Sequence, residues 1–539
     1  MLTCWRWYSP LSAHFPHCAA LPCVPACVAI PPPTTKGATM AHNERPDIVL
    51  VITDQQRADH CAREGFPLDT TPFMDALAQD GACFDRAYTT APLCCPARTS
   101  LFTGRYPSAH RVVENSAAEL AVPGENLFAV ARRAGYATAM VGKNHTWLSA
   151  SDVDYWDEFS HEGRVVPESE WTAFEQWLHD LRHRTAIQAT PFPVEEQNQF
   201  RIVSRALAWA NQQPADKPLL LVVSFPEPHN PYQVPEPWFS LFPPDSLPPL
   251  FPDANDRANQ SFAWHYLHDI GVESDPNYDH HIARARANYC GMLRLIDDQV
   301  KRLHEGLAHR HQQRARLLAI TADHGDYVGA FGLLRKGAEI PEMLARIPLI
   351  VSGDGIVQQR QHAFVSLADM MPTFCEAMAQ PLPLSVQGRS LLPMLRGESW
   401  PEAEFASVYI EQGFGGLPYT ADDIPMHSHP GIMWDDGENI PRLDELNAIT
   451  QSGRHRKIRS GDWSLFASMT GEFRLFNIAD DPFELHNRWN DPTLSDVRST
   501  MLQWLAIWQM RAEDPLPIKA YCRKTDPHGY LAPYAEFPC

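Results

Sequence analysis

The sequence is poor in cysteine and lacks any arrangement of cysteines that would bind zinc. Twelve Cys in 539 residues is too low a density for a scaffold held by disulfides. No pair of Cys-x-x-Cys motifs and no Cys/His array with zinc spacing occurs. We therefore expect mostly reduced, buried thiols rather than a disulfide framework or a zinc module.

Long hydrophobic runs and an excess of positive charge are also missing. No segment approaches the ~18 consecutive apolar residues of a membrane span. The chain carries 45 Lys+Arg against 65 Asp+Glu, a net charge of −20, which repels phosphate backbones. We expect a soluble protein without a membrane or nucleic-acid partner, located in the cytoplasm, with export to the periplasm as the alternative.

Low-complexity composition is absent as well. Gly and Pro contribute 28 and 48 residues, below the ~25–30% that marks such chains, and the 44% hydrophobic residues suffice for a large core. We divide the chain into a disordered extension at 1–44, a large domain at 45–395, a C-terminal subdomain at 396–510 and a tail at 511–539. The Pro-rich, aromatic tail could interlock the subunits of a homo-oligomer.

Short apolar runs alternate with helical patterns in the large domain. The predicted strands lie at 47–53, 137–141, 219–225, 317–321 and 347–351, and the predicted helices at 72–79, 126–133, 201–211 and 283–307. This alternation is typical of an α/β fold with a large, mostly parallel sheet flanked by helices. Shorter alternating runs at 405–412, 456–459, 463–466 and 473–476, with a closing helix at 494–510, predict a smaller α+β subdomain.

Polar side chains follow four of these strands directly at their carboxyl ends. Ligands of open α/β sheets bind outside the carboxyl ends of the strands, so these side chains can converge on one crevice. They are Asp54, Lys143, His145, His229, Asp323 and His324.

The segment around Cys94 predicts a short helix with a reactive N-terminus. Pro96 near the start and Gly104 at the end are typical helix boundaries. Free N–H groups at a helix N-terminus favour bound anions and lower the pKa of a thiol, and Arg98 adds a permanent charge within one turn. The alternative is a buried structural cysteine beside a surface arginine.

This segment resembles the signature of the type I sulfatases, Cys-x-Pro-Ser/Ala-Arg followed by a spacer and Thr-Gly. The order of residues selects Cys94, not Cys95, as the signature cysteine. The resemblance implies an alkaline-phosphatase-like fold with its catalytic domain at 45–395. It also implies that a formylglycine-generating enzyme oxidises Cys94 to Cα-formylglycine, whose hydrate attacks sulfur, displaces the alcohol and later releases sulfate.

The resemblance extends over roughly 46–510 and implies roles for the residues at the strand ends. Asp54, Gln55, Asp323 and His324 would bind the metal, and Arg98, Lys143 and Lys336 would neutralise the sulfate oxygens. His145 would take the proton that collapses the sulfated hydrate, His229 would protonate the leaving alcohol, and Asn115 would contact the hydrate or the substrate. Asp481, Pro482, Glu484 and Asn487 resemble a C-terminal motif to which we assign a structural role.

One position departs from the pattern, because many sulfatases have a second Asp where this chain has Gln55. An amide oxygen still binds a hard cation, and the mostly oxygen ligands favour Ca²⁺ ahead of Mg²⁺ or Mn²⁺. Asp-Gln also occurs in phosphonate monoester hydrolases and relatives similar to choline sulfatase. We therefore expect a sulfatase that cleaves a carbohydrate or aryl sulfate monoester, with a phosphonate monoester or phosphodiester hydrolase as the alternative. A non-catalytic anion- or metal-binding protein, in which Cys94 is never converted, is the third hypothesis.

Overall fold

The structure is a computed structural model that describes residues 45–115, 118–311, 314–423, 448–513, 524–532, 535 and 537–538. The predicted extension at 1–44 lies outside the described residues, as does much of the tail at 511–539. None of the described helices combines the length and the apolar character that a membrane span requires. The boundaries of the four parts stay a prediction.

Fifteen strands are present in the described residues. In chain order they are β1 (Asp47–Asp54), β2 (Ala82–Phe84), β3 (Ala87–Tyr88), β4 (Ala137–Gly142), β5 (Tyr155–Ser160), β6 (Gly163–Arg164), β7 (Leu219–Pro228), β8 (Arg316–Ala322), β9 (Leu349–Gly353), β10 (Gln359–Gln361), β11 (Val365–Ser366), β12 (Ser407–Gly415), β13 (Gly453–Ser460), β14 (Trp463–Ser468) and β15 (Phe473–Asn477).

The helices that cover the sheets range from one turn to eight. They are α1 (Pro72–Asp80), α2 (Cys94–Thr103), α3 (Pro107–His110), α4 (Leu127–Arg133), α5 (Ala173–Asp180), α6 (Asn198–Gln212), α7 (Trp238–Leu241), α8 (Phe262–Ser274), α9 (Tyr278–Gly306), α10 (Ala308–His311), α11 (Glu342–Ala345), α12 (Met370–Ala377), α13 (Leu392–Leu395), α14 (Ala448–Gln451) and α15 (Ser495–Ala512).

A nine-stranded sheet with the order β10-β2-β9-β8-β1-β7-β4-β5-β6 organises the large domain. Its centre, β8-β1-β7-β4, is parallel throughout, which confirms the predicted mostly parallel α/β sheet. The run predicted at 347–351 forms β9, which pairs with β8 in the antiparallel direction. This strand departs from the parallel pattern because the chain between β8 and β9 doubles back without a long crossover helix.

Both faces of β1 are buried, which explains its continuous apolar sequence. Ile48, Leu50 and Ile52 point into the core formed with α2, α4 and α12. Val49 and Val51 point into the core on the other face, formed with α1, α6 and α9. The two-residue period of a strand thus divides one apolar run between two helical layers, and it leaves only the strand ends for polar chemistry.

A second sheet, β12-β13-β14-β15, is antiparallel and packs against α15, as the C-terminal α+β prediction required. Glu484 ties this sheet to the large domain: its carboxylate accepts hydrogen bonds from Lys457 Nζ (2.6 Å), Ser464 Oγ (2.6 Å) and the backbone N–H of Glu342 (2.8 Å). Asn487 Oδ1 accepts from the N–H of Leu475 (3.0 Å) in β15. These contacts are those of a structural motif.

Candidate active site

The carboxyl ends of four adjacent parallel strands bring the predicted side chains together. Asp54 ends β1, Lys143 follows β4, His229 follows β7, and Asp323 and His324 follow β8. Gly142 at the end of β4 has φ +110°, and a Cβ there would collide with the carbonyl of Ser224 in β7. Only glycine lets the two strands approach this closely, and the next residue, Lys143, then points into the site.

Cys94 is the first residue of α2, two positions earlier than the predicted helix start, and it is 1% exposed. Its Sγ lies 3.5 Å from Asp54 Oδ1, 3.3 Å from His324 Nε2 and 3.5 Å from Lys143 Nζ. Four elements that are distant in sequence therefore meet at this sulfur atom.

The charges around Cys94 favour its anionic form. Burial and the Asp54 carboxylate raise the pKa of the thiol, but Lys143, Lys336 and His324 outweigh them and lower this pKa to about 5. Burial likewise opposes ionisation of Asp54, yet Lys143, His229 and Arg98 hold its pKa well below the usual range. The neighbouring Cys95 is different, because burial raises its pKa.

Arg98 is fully buried and spans the centre of the cluster. Its Nε donates to Asp323 Oδ2 (2.7 Å), and Nη1 donates to Ser224 Oγ (2.7 Å) and to the carbonyl of Lys143 (3.0 Å). Its Nη2 lies 3.8 Å from Asp54 Oδ2 and donates no hydrogen bond to any described residue. A buried donor that is held rigidly on three sides is suited to an oxygen of a bound anion.

Two lysines approach the same centre from opposite sides. Lys143 Nζ contacts the Asp54 carboxylate and lies 2.9 Å from His161 Nε2. Lys336 Nζ donates to Gln55 Oε1 at 2.6 Å, and Gln55 Nε2 donates to Asp326 Oδ2 at 2.7 Å. The two carboxylates of the cluster contribute −2, from Asp54 and Asp323. The three cations contribute +3, from Arg98, Lys143 and Lys336, so these five side chains together carry one excess positive charge.

The two predicted catalytic histidines occupy different environments. His229 Nδ1 lies 2.6 Å from the carbonyl oxygen of Asn230, and its ring stacks on that of His161 at 3.7 Å. His145 is half-buried at φ +50°, and its Nδ1 makes no hydrogen bond within the described part of the chain. Burial, and then the charge of Lys143, lower the pKa of His145 to about 3, so this ring is neutral.

Asn115 also lies beside the signature cysteine. Its Oδ1 accepts the backbone N–H of Cys95 at 3.0 Å, and its carbonyl accepts from Cys95 Sγ. It therefore holds the first turn of α2 in place, whereas its predicted contact with the hydrate or the substrate stays a prediction.

Four side chains form a group that could hold a metal ion: ligand atoms of Asp54, Cys94, Asp323 and His324 lie within 4.8 Å of one another. Two buried carboxylates and an imidazole fit a divalent cation. Gln55 stands next to this group, but its amide oxygen already accepts from Lys336. The role of Gln55 as a metal ligand stays a prediction. Its contacts support a different role, in which Gln55 positions Lys336.

The sequence did not indicate His161, Asp326 or Ser224. His161 follows β5, so the rule of polar residues at carboxyl strand ends would have found it if β5 had been recognised. The strand lacks an apolar run, since its sequence is YWDEFS and four of its six residues are partly exposed. Asp326 was identifiable only through its contact with Gln55.

The doubly covered sheet, the buried cysteine at a helix start and the adjacent metal-ligand group define a hydrolase of the alkaline phosphatase superfamily. The chain belongs to the sulfatase family, since the family profile described as Sulfatase matches residues 46–380. It is thus a sulfuric ester hydrolase, and the resemblance noted in the sequence is confirmed.

Known relatives match most of the chain. The uncharacterized sulfatase YidJ of Escherichia coli strain K12 is 27% identical over 88% of each chain. The multifunctional alkaline phosphatase superfamily protein PehA of Trinickia caryophylli is 30% identical over 87% of this chain and 96% of the relative. The crystal structure of the phosphonate monoester hydrolase of Agrobacterium radiobacter superposes with a TM-score of 0.69 at 24% identity, covering 87% of this chain and 96% of that chain. This last likeness concerns the fold.

Proposed function

We propose that the protein hydrolyses an organic sulfate monoester, a carbohydrate or aryl sulfate, with formylglycine at position 94 and a divalent cation beside it. The observation that carries this proposal is the position of Cys94. Its Sγ lies within 3.5 Å of an Asp54 oxygen, His324 Nε2 and Lys143 Nζ. A group at this position faces both the candidate ligands of the cation and the side chains that can donate hydrogen bonds to a bound anion.

The residues of the cluster would hold the sulfate group during the reaction. The hydrate of formylglycine, once formed by a formylglycine-generating enzyme, supplies the nucleophilic oxygen. Arg98 Nη2, Lys143 Nζ and Lys336 Nζ would bind the sulfate oxygens and stabilise them in the transition state. Rigid donors in a site without bulk water are the largest source of such stabilisation.

Proton transfer would be divided between two histidines. The Nδ1–H of His229 donates to the Asn230 carbonyl, which stabilises the imidazolium form and leaves Nε2 to deliver a proton to the leaving alcohol. His145 is neutral because its pKa is lowered to about 3. It would accept the proton from the hydrate when sulfate is released.

Asp54, Asp323 and His324 would hold the divalent cation, which supplies positive charge next to the transferred group. Our order of preference starts with Ca²⁺, since carboxylates are hard ligands. Mg²⁺ and Mn²⁺ follow, since they share the preference of Ca²⁺ for oxygen ligands. Elemental analysis of the purified protein, followed by chelation and addition of Ca²⁺, Mg²⁺ or Mn²⁺ singly, identifies the ion. Full activity in metal-free protein would contradict the proposal.

Mass spectrometry of the peptide that contains Cys94, combined with kinetics, tests the function. We expect the mass of this peptide to show that the Cys94 thiol has been converted to the formylglycine aldehyde. We also expect the protein to turn over an aryl sulfate. An unmodified thiol and no turnover, in protein from a host that makes formylglycine, would support the hypothesis of a non-catalytic binding protein.

A second candidate function is hydrolysis of phosphonate monoesters or phosphodiesters. It is favoured by Gln55, which replaces the second acidic residue and contacts Lys336, and by the fold likeness to a phosphonate monoester hydrolase. Parallel assays with an aryl sulfate and an aryl phosphonate ester separate the two. We expect the higher kcat/KM on the sulfate, and a much higher value on the phosphonate would reverse the choice.

A further inference from the structure

One histidine beside the candidate active site, His161, has no part in the chemistry proposed above. It follows β5 directly, and β5 pairs with β4 in the parallel direction, so a fifth strand end reaches the same edge of the sheet. Its Nε2 lies 2.9 Å from Lys143 Nζ and 3.8 Å from Asp54 Oδ2. Its ring stacks on that of His229, with centroids 3.7 Å apart and planes inclined by 16°. His161 therefore contacts two side chains to which the proposed function assigns a role.

The backbone around His161 is fixed by a tight hairpin. Ser160 pairs with Gly163 in β6, which leaves two residues in the loop, and Ser160 Oγ accepts the N–H of Glu162 at 3.1 Å. Gly163 has φ +106°, and a Cβ there would collide with Cγ of the buried Glu175 in α5. Only glycine lets the hairpin lie this close to the helix. A side chain on such a rigid support can hold another group in a defined geometry.

The contact with Lys143 assigns the two nitrogen atoms of the His161 ring. An ammonium group only donates hydrogen bonds, so Nε2 is the acceptor and the ring hydrogen lies on Nδ1. This Nδ1 is buried and donates to none of the described residues. A buried donor without a partner costs stability, and a phenyl ring at this position would avoid that cost. The stability of the fold therefore does not explain why the residue is a histidine.

The side chains around Lys143 form a place for a cation. Ligand atoms of Asp54, His161 and His229 lie within 4.8 Å of one another, which is the spacing of a cation site. Lys143 Nζ contacts the Asp54 carboxylate and His161 Nε2, so its ammonium group supplies the positive charge at this place. A lysine that is held by two acceptors is preorganised for an oxygen of a bound anion.

We propose that His161 is a positioning residue for hydrolysis of the ester: its Nε2 holds the ammonium group of Lys143, and its ring holds the imidazole of His229. The first effect concerns the sulfate group and is the same for every ester. The second effect concerns the leaving alcohol and matters most for poor leaving groups. This inference rests on the proposed function, because it uses the roles given there to Lys143 and His229.

Two substitutions separate the two effects. His161→Phe keeps a flat ring against His229 but removes the acceptor for Lys143. His161→Gln places an amide oxygen close to the position of Nε2 and removes the ring. The matched control is His179→Phe, the same substitution at a histidine of α5 whose ring contacts Trp171. All variants are full length, and each rate is divided by the fraction of formylglycine found by mass spectrometry.

Kinetics on nitrophenyl sulfate and on an alkyl sulfate are combined with calorimetric titration of inorganic sulfate and with thermal unfolding. For His161→Phe we expect kcat/KM on both esters and the affinity for sulfate to fall about tenfold, as for loss of a hydrogen bond to a charged group. For His161→Gln we expect an unchanged affinity for sulfate and a kcat that falls about tenfold on the alkyl sulfate only. His161→Phe should melt no lower than wild type, and His179→Phe should keep the rates of wild type.

Two kinetic results would overturn the inference. Equal losses on both esters in the two His161 variants, together with a lower melting temperature, would assign a structural role to this residue. Variants with the rates and the sulfate affinity of wild type would leave it without a role. Elemental analysis gives a third contrary result: a second divalent cation per chain that is absent from His161→Phe would make His161 a metal ligand.

Failure of the proposed function is distinguishable from failure of this inference. Wild-type protein that has verified formylglycine but cleaves no sulfate ester contradicts the function alone. A sulfate affinity that falls in His161→Phe and not in His161→Gln then still supports the role of His161 at Lys143. Wild-type protein that cleaves nitrophenyl sulfate, with His161 variants that do not differ from it, contradicts the inference alone.

Discussion

Replacement of Arg98 by lysine separates the charge of this residue from its hydrogen-bond geometry. The guanidinium contacts Asp323, Ser224 and the Lys143 carbonyl at 2.7–3.0 Å. In Arg98→Lys the charge beside Asp323 remains, but a single ammonium cannot reach all three partners, and the donor Nη2 is lost. Arg98→Met removes the charge as well.

The expected magnitudes follow from these contacts. Loss of one preorganised donor to a transition-state oxygen costs about 2.7–4 kcal/mol, or about 10²–10³ in kcat. Arg98→Lys should show this loss and remain folded, since Asp323 stays paired. Arg98→Met leaves a buried carboxylate without its partner, which costs about 3–5 kcal/mol of stability, so we expect it to be both inactive and less stable.

The assay is kcat/KM on an aryl sulfate, combined with thermal unfolding of each variant. Arg98 belongs to the signature around Cys94, so the fraction of formylglycine is measured by mass spectrometry and each rate is divided by it. Arg98→Lys with verified formylglycine and a kcat within about threefold of wild type, less than about 0.7 kcal/mol, would refute the assignment of Arg98 to the sulfate oxygens.

Substitutions at three other positions give distinct results. Cys94→Ala should keep the circular dichroism spectrum and lose turnover, and Cys94→Ser should be nearly as inactive unless the host matures serine; undiminished turnover would place the nucleophile elsewhere. His229→Ala should slow sugar or alkyl sulfates about 10²–10⁴-fold but nitrophenyl sulfate much less, because only the poor leaving groups need the proton; equal losses would contradict the role. Burial raises the pKa of Glu227 to about 8. The stability that the protonated carboxyl contributes to the folded state is therefore fully present below the unfolded pKa of about 4.3, and it is lost as the pH rises towards 8. Glu227→Gln cannot ionise, and its melting temperature should fall less than that of wild type between pH 5 and pH 8; parallel curves would show that Glu227 is already ionised.

Much of the fold could be predicted because local patterns decided it. The helices predicted at 72–79 and 126–133 occur as Pro72–Asp80 and Leu127–Arg133, and the antiparallel strands near the C-terminus occur within a few residues of their predicted positions. Short strands such as β2, β5 and β10 were not predicted, since β5 and β10 carry no apolar run and β2 is only three residues long. The helix Phe262–Ser274 was not predicted because its buried apolar residues divide between two clusters, Trp264 and Leu267 in one and Tyr266 and Ile270 in the other, instead of forming one apolar face.

The candidate site was predicted as a set of residues but not as a set of contacts. Polar residues after buried strands identified Asp54, Lys143, His229 and Asp323, because any parallel sheet brings such ends to one edge. The partner of Gln55 could not be derived in this way. Lys336 reaches it across 281 positions of the chain, and only the path of the loop after β8 brings the two together.

The sequence by itself determined which long apolar segments are strands, that a helix begins close to Cys94 and which side chains follow those strands, since these properties depend on neighbours within a few residues. Tertiary structure alone decided that β1 lies between β7 and β8, that β9 runs antiparallel and that His161 stacks on His229. Such features depend on pairing and packing between residues far apart in the chain, where local preference exerts no control.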